Sequence, residues 1–416
     1  MLTIGKYSIG TGDRFCRQGK AQLAAVMQAL EKDALDLTIV WNKSHREHLI
    51  INTMPDSVRR EADEAARALG WSGAYFVDAD HINLENVDGF VDPSDFFTID
   101  VADFIGQEAE AEDIAAFIDG HRQLCGELMV PGISEPLRLG AEDLQQAAQN
   151  YLYAVKQAKR IYSYIESKKG PQNFVTEISM DEIDQPQRPE ELLLILAAIA
   201  AEKIPIQTIA PRFSGRFNKG VDYVGDTDRF GREFAADVCV VKYAVEKFGM
   251  MQNLKLSVHS GSDKFSIYPA INQAVKQFDA GVHLKTAGTT WLEEVTGLAV
   301  SGEEGLEIAK EIYFQALDRI DELSGPYLTV IDIDLGKLPS KEDVSGWNGS
   351  RFADTLRHDQ NHPAYNPDFR QLIHIGYKIA AEMGRRFTAA LERYDSAIAP
   401  LVTENLYQKH IKPLFL

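Results

Sequence analysis

Three histidines that end or interrupt apolar runs carry the sharpest chemical signal in the sequence: His81 in AYFVDADH, His259 in KLSVHSGSDKF and His283 in GVHLKTAG. A solvated surface histidine is not expected in such runs. Neutral imidazoles there suit a divalent cation such as manganese, nickel, zinc or iron, leaving open positions for a sugar hydroxyl and carbonyl. Any one of them alone reads better as a satisfied core or rim histidine; three at equivalent positions favour the metal. Asp80 and Glu177 lie in different runs and could flank a substrate from opposite sides, as paired acid and base chemistry requires. A salt bridge to a nearby Lys or Arg accounts for each equally well. Asp78 shares a strand face with Asp80, and spacing does not choose between them.

Further polar residues close the same kind of run, and Asp13, Arg14, Arg212, Ser260, Asp263 and its neighbour Lys264 are expected to contact substrate. Lys285, in KTAGT, offers a cation and nearby backbone N–H groups to a carboxylate. Thr289 or Thr290 there also reads as a helix N-cap. His374 in LIHIGYK is an additional expected site residue; a helix or strand core explains it equally well. GTGD at 10–13 lacks the spacing of a phosphate-binding loop, HSGSDKF is no serine-hydrolase elbow, and HxxxH at 358–362 lacks the glutamate of a zincin helix.

The elements that must position these residues alternate. Eight β-rich runs (residues 7–15, 37–41, 74–81, 96–100, 173–182, 205–213, 255–265 and 281–288) are separated mostly by amphipathic segments such as GKAQLAAVMQALEKDA and DRFGREFAADVCVVKYAVEKFG. Alternation of this kind predicts a parallel sheet, and about eight units favour an α/β fold closed as a (β/α)8 TIM-like barrel, whose active site lies where the loops after the strands converge. A helical insertion is expected at about 106–170, inside a barrel of residues 1–300. A mostly helical C-terminal extension, 301–416, is expected to pack on the barrel.

Composition narrows the function classes. The chain has 416 residues, 45% hydrophobic and 25% charged, so disorder is excluded for most of it. Its formal net charge of −19 repels nucleic acid and anionic membrane surfaces. No apolar run approaches the roughly 18 residues of a membrane span, and no secretory leader pattern is present. Cys16, Cys125 and Cys239 are too scattered for a disulfide framework or a thiolate zinc site, so a cytoplasmic protein is expected. A homo-oligomer is compatible with the acidic surface.

GTGDRF, DADH, FTID, EISMDEID, HSGSDKFSIYP and HLKTAGTTWLE, spread over most of the chain, together resemble the tagaturonate epimerase family. The resemblance implies a metal-dependent isomerase of hexuronate catabolism acting on a keto-sugar acid, tagaturonate or fructuronate. It further implies Asp80 as proton acceptor, Glu177 as proton donor, and a divalent metal cation on His81, His259 and His283. Two other readings fit similar residues: a metal-dependent aldose–ketose isomerase acting on a related sugar or sugar acid, and a non-catalytic sugar-acid binding protein.

Overall fold

The computed structural model describes every residue except 1, 184 and 287. Strands β1 (Tyr7–Gly12), β2 (Leu37–Ser44), β3 (Tyr75–Ile82) and β4 (Phe96–Asp100) are followed by a short antiparallel pair, β5 (Gly126–Leu128) and β6 (Leu137–Leu139). β7 (Val175–Ser179), β8 (Thr208–Ala210), β9 (Lys255–His259) and β10 (Val282–Lys285) complete the set. Leaving out the β5/β6 pair, the strands form a closed eight-stranded parallel barrel in chain order, with β10 paired back onto β1. Each barrel strand falls within one of the eight runs expected from the sequence, except that β2 continues three residues further, through Asn42, Lys43 and Ser44, and β3 one, to Ile82.

Strand alternation sorts the side chains. Ile9, Ile39, Trp41, Val77, Phe97, Ile99, Ile178, Leu256, Val258 and Leu284 face outward into the large apolar core shared with the helices. Ile4, Val40, Phe76, Phe96 and Val175 form a separate apolar plug inside the barrel, at the start of the strands. Two and four residues further along β3, β4 and β7 the same inward face turns polar: Asp78 and Asp80, Thr98 and Asp100, Glu177 and Ser179. The barrel is thus oily at its floor and ionic toward its mouth.

Local sequence sets the helical shell. Asp226 accepts a hydrogen bond from the Arg229 N–H to start helix Thr227–Phe248, which stops at Gly249 in the left-handed conformation (φ 67°) that glycine adopts freely. Pro189 opens the almost wholly apolar helix Pro189–Ala201, which is buried along most of its length. Segment 106–170 holds helix Ala111–His121, the β5/β6 pair and the 29-residue helix Ala141–Lys169. Because β4 and β7 are neighbours, that last helix is their crossover and belongs to the shell, so the added structure lies before it.

Helix Thr289–Val300 is the eighth of the shell, and the extension packs on it through helices Glu303–Asp318, Gly349–Leu356 and Asp395–Glu404. The chain ends in a π-helical turn, Asn405–Ile411, against helix Gly19–Asp33, and a last turn against helix Tyr268–Gln277. Among the described residues no helix is long and apolar enough to cross a membrane.

Candidate active site

A cavity of about 520 Å³ opens at the C-terminal ends of the strands, lined by Arg14, Arg46, Asp80, His81, Asp100, Asp181, Arg212, Lys219, His259 and Lys285 among others. Pro326, Tyr327, Thr329 and Val330 of the extension close one side. Its walls divide into an acidic half with two imidazoles and a basic half.

In the acidic half, the Lys285 ammonium is enclosed by Asp78 Oδ2 (2.7 Å), Asp80 Oδ1 (2.6 Å), Thr98 Oγ1 (2.7 Å) and Glu177 Oε1 (3.5 Å). The cation expected to meet a substrate carboxylate is instead consumed by the protein's own. Burial pushes the Asp80 carboxyl up, but Lys285, His81 and His259 outweigh it and hold it below its usual range. Asp78 shifts the other way, because its burial and the neighbouring Asp80 and Glu177 prevail over Lys285. Two carboxyls on one strand face are thereby split into an ionised group at the cavity, Asp80, and a more proton-retentive one beneath it, Asp78.

His81 and His259 meet edge to face with ring centroids 5.2 Å apart, and Asp181 joins them in the one described group with ligand atoms close enough to hold a metal ion. His81 sits at φ 51°, where the pairing of β3 with β4 shifts register between Ala79 and Ile82. A bulge of this kind re-aims a side chain, here out of the strand's alternation and toward His259. Each imidazole is backed by a carboxylate: His81 Nδ1 by Asp100 Oδ2 (3.0 Å), and His259 Nε2 by Glu177 Oε1 (2.8 Å). His259 Nδ1 lies 3.1 Å from Asp181 Oδ1, which also accepts from Ser179 Oγ, so the nitrogen that Glu177 leaves free faces a second carboxylate. Burial lowers the affinity of His259 for a proton, but Asp181 and Glu177 raise it overall, to about 9. His81 is likewise raised, by Asp80, Asp100 and Asp181 against its burial. The surroundings demand positive charge here, and carboxylate-backed imidazoles with an open carboxylate are a donor set suited to a divalent cation.

His283 stands one layer deeper. It pairs in register with Ser8 and Ser257, and its Nδ1 shares a hydrogen bond with Ser8 Oγ (2.9 Å). Burial, helped by Lys255 and Lys285, lowers its affinity for a proton to about 3, so it is neutral. It lines neither the cavity nor the His81–Asp181–His259 group. Glu177 is fully buried behind His259 and reaches the cavity only past it.

The sequence profile of the tagaturonate epimerase family matches residues 2–413. The chain belongs to the tagaturonate epimerase family. A curated relative, the tagaturonate/fructuronate epimerase of Thermotoga maritima, is 29% identical over 420 residues, spanning 97% of this chain and 79% of the relative. A glycerol-bound crystal structure of the fructuronate-tagaturonate epimerase of Cohnella laeviribosi superposes with a TM-score of 0.76 at 23% identity, covering 99% of this chain and 82% of that one. The native crystal structure of the same enzyme gives 0.76 at 22% identity, with 100% and 82% covered. At those identities the structures establish the shared barrel fold.

For this member of the tagaturonate epimerase family, the remaining expected substrate contacts divide. Arg14 and Arg212 line the cavity. Asp13 does not, since its carboxylate accepts the N–H groups of Phe15, Cys16, Arg17 and Gln18 and fixes the turn after β1. Ser260 bonds the Lys285 carbonyl (2.6 Å), tying β9 to β10. Lys264 is enclosed by the carbonyls of Asn218 (2.9 Å) and Val221 (2.8 Å), and Asp263 by side chains of the extension. These two fold the loop rather than face the cavity.

His374 lies behind Gly288, where a Cβ would stand 2.2 Å from His374 Nε2 and 2.5 Å from the Gly261 carbonyl. Gly288→Ala is therefore expected to cost about 1–3 kcal/mol in urea unfolding. A variant as stable as the parent would show that this contact relaxes freely. Asp100 and Asp181 stand among the polar residues at the strand ends but take no role from type and spacing, and Arg46 and Lys219 are not singled out at all. The first two close apolar runs in FTID and EISMDEID; Arg46 opens a short helix after β2 and Lys219 sits in a loop, neither with such a signal.

Proposed function

We propose that the protein interconverts D-tagaturonate and D-fructuronate using a divalent cation held by His81, His259 and Asp181. Family membership over nearly the whole chain supports the reaction. The observation that carries the metal reading is the grouping of His81, His259 and Asp181, whose ligand atoms lie within 4.8 Å of one another, with one nitrogen of each imidazole held by a further carboxylate. Bound there, the cation would supply Lewis acidity to the substrate's carbonyl and hydroxyl oxygens and offset developing negative charge.

The two ketouronates differ at a hydroxyl-bearing carbon β to the ketone, so simple proton removal beside the ketone does not invert it. In the retro-aldol route Asp80, ionised and at the cavity, takes the hydroxyl proton. The bond between the α and β carbons then breaks to an aldehyde and an enediolate. The aldehyde turns its other face, the bond re-forms, and a proton returns to the new alkoxide. Burial pushes the Glu177 carboxyl up, but Lys285 and His259 outweigh it and hold it well below its usual range, so the proton that returns is the one Asp80 took, and Glu177, the donor that the family resemblance implies, instead orients the His259 imidazole through Nε2. Absence of solvent deuterium at the inverted carbon after turnover in D₂O, with a trappable aldehyde, supports this route over carbon deprotonation on opposite faces.

The test is product analysis by NMR with protein stripped by chelator and reloaded with Mn²⁺, Ni²⁺ or Zn²⁺. Interconversion should vanish on stripping, return on reloading, and fall at least about 100-fold in Asp181→Asn together with bound-metal stoichiometry. Full turnover by the stripped protein overturns the metal. Ligand binding without turnover by any metal form overturns the epimerase in favour of a binding protein, and aldose products favour an aldose–ketose isomerase.

A further inference from the structure

The basic half of the cavity holds Arg46 and Lys219, for which no ion pair is found among the described residues, beside Arg14, which is paired with Glu47. Arg46, on the short helix His45–Ile51 whose capping box is Ser44 and Glu47, stacks over the Tyr327 ring at 5.1 Å. Arg14 stacks over Tyr377 at 4.3 Å and bonds Glu47 through Nε (2.9 Å), while its Nη1 has no partner. The two tyrosines join hydroxyl to hydroxyl at 2.8 Å, so the C-terminal extension fixes both guanidinium planes. Lys219, in the loop after β8, is held through its backbone N–H to the Val330 carbonyl (2.7 Å). Its ammonium ends beside Gly261, two residues beyond His259, where an added Cβ would lie 3.4 Å away.

Among the described residues no carboxylate lies within ion-pair distance of Lys219 or Arg46; Glu182 and Glu47 are the acids within electrostatic reach of both. Arg46 and Arg14 each repel the Lys219 ammonium. Three cations gathered against their own repulsion, facing a cavity and held by packing, form a preorganised receptor for an anion. The wall opposite offers carboxylates, which repel an anion, and the imidazole pair proposed to hold a cation, which suits the substrate's carbonyl and hydroxyls.

We propose that Lys219, backed by Arg46 and Arg14, anchors the carboxylate of the sugar-acid substrate. The assignment rests on the ketouronate reading of the cavity and extends it to the groups that distinguish an acid from a neutral sugar. Lys285, the cation in the strand-end position, is shielded from this task by Asp78, Asp80 and Glu177. Holding the carboxylate at the basic wall directs the hydroxyl-bearing carbons toward Asp80, His81 and His259.

The experiment uses two unreactive probes of the same chain length, D-gluconate and D-sorbitol, whose binding to the metal-loaded protein is measured by calorimetry. The parent should bind gluconate about 10–100-fold more tightly than sorbitol, as a charge-assisted contact provides. Lys219→Met should bring the two affinities within about threefold, and Lys219→Arg should restore part of the preference. Circular dichroism and the melting temperature establish that each variant is folded. An acid preference that survives in folded Lys219→Met overturns the anchor, as does a parent that binds both probes alike. A parent that prefers gluconate through Lys219 yet epimerises neither ketouronate keeps the anchor and refutes the reaction instead.

Discussion

Lys285→Met should be both inactive and strongly destabilised, by about 3–5 kcal/mol near neutral pH, because it strips the common counter-ion from three buried carboxylates. Asp78, Asp80 and Glu177 converge on that one ammonium, and both Asp78 and Glu177 are fully buried. Without it, burial and mutual repulsion raise their affinity for protons above that of the unfolded chain. A carboxyl raised in this way stabilises the fold below its unfolded value and loses that contribution as pH rises through the folded one. The deficit relative to the parent should therefore shrink near pH ~5 and grow near pH ~8, read from urea unfolding at each pH. Activity should not return at either, since Asp80 protonated at low pH is no base. A variant within about 1 kcal/mol of the parent at both pH values would show that water, not Lys285, compensates these carboxylates.

Lys285 also shows where strand-end reasoning reaches its limit. The eight strands are legible because strands buried on both faces read as apolar runs, and their polar ends predict the mouth of a barrel. That geometry brings His81 and His259 to the same rim, and the bulge in β3 turns His81 inward to meet His259. His283 did not join them because it lies two residues before Lys285 on the same strand face, and one pleat period sets the layer. The short run GVHLKTAG does not reveal which of the two positions is the rim.

Asp181, two residues past the end of β7, takes the third place in the group that His283 was expected to fill. The basic wall was illegible for another reason. Arg46 and Lys219 owe their places to Tyr327, Tyr377 and Val330, more than 100 residues further along the chain, and no local pattern encodes such a contact. Lys264, placed near the site by its motif, is spent on loop carbonyls, whereas Lys219 carries no motif at all.

The second large effect lies away from the chemistry, at Asp263. Its carboxylate, fully buried, accepts from Arg370 Nη2 (2.6 Å), His358 Nδ1 (3.1 Å), His410 Nε2 (3.0 Å) and Thr289 Oγ1 (3.1 Å). Burial pushes this carboxyl up, but Arg370 and the two histidines hold it well below the usual carboxylate range. Arg370 is itself wholly buried and also donates to the Leu356 carbonyl at 2.6 Å and to that of Gly220. One ion pair thus joins the loop after β9, the loop after β8 that carries Lys219, and three separate stretches of the C-terminal extension.

Asp263→Ala leaves the Arg370 charge buried and unpaired and should cost about 3–5 kcal/mol. Asp263→Asn, which keeps shape but loses charge, should cost about 1.5–3 kcal/mol. Hydrogen exchange should then rise first across residues 358–411 and 216–224, with the barrel strands protected until global unfolding. Since Pro326–Val330 form one side of the cavity, substrate affinity should weaken in both variants even where the chain is folded. Uniform loss of protection across barrel and extension would mean instead that the two unfold as one cooperative unit, with Asp263 stabilising the whole molecule rather than the seam between its parts.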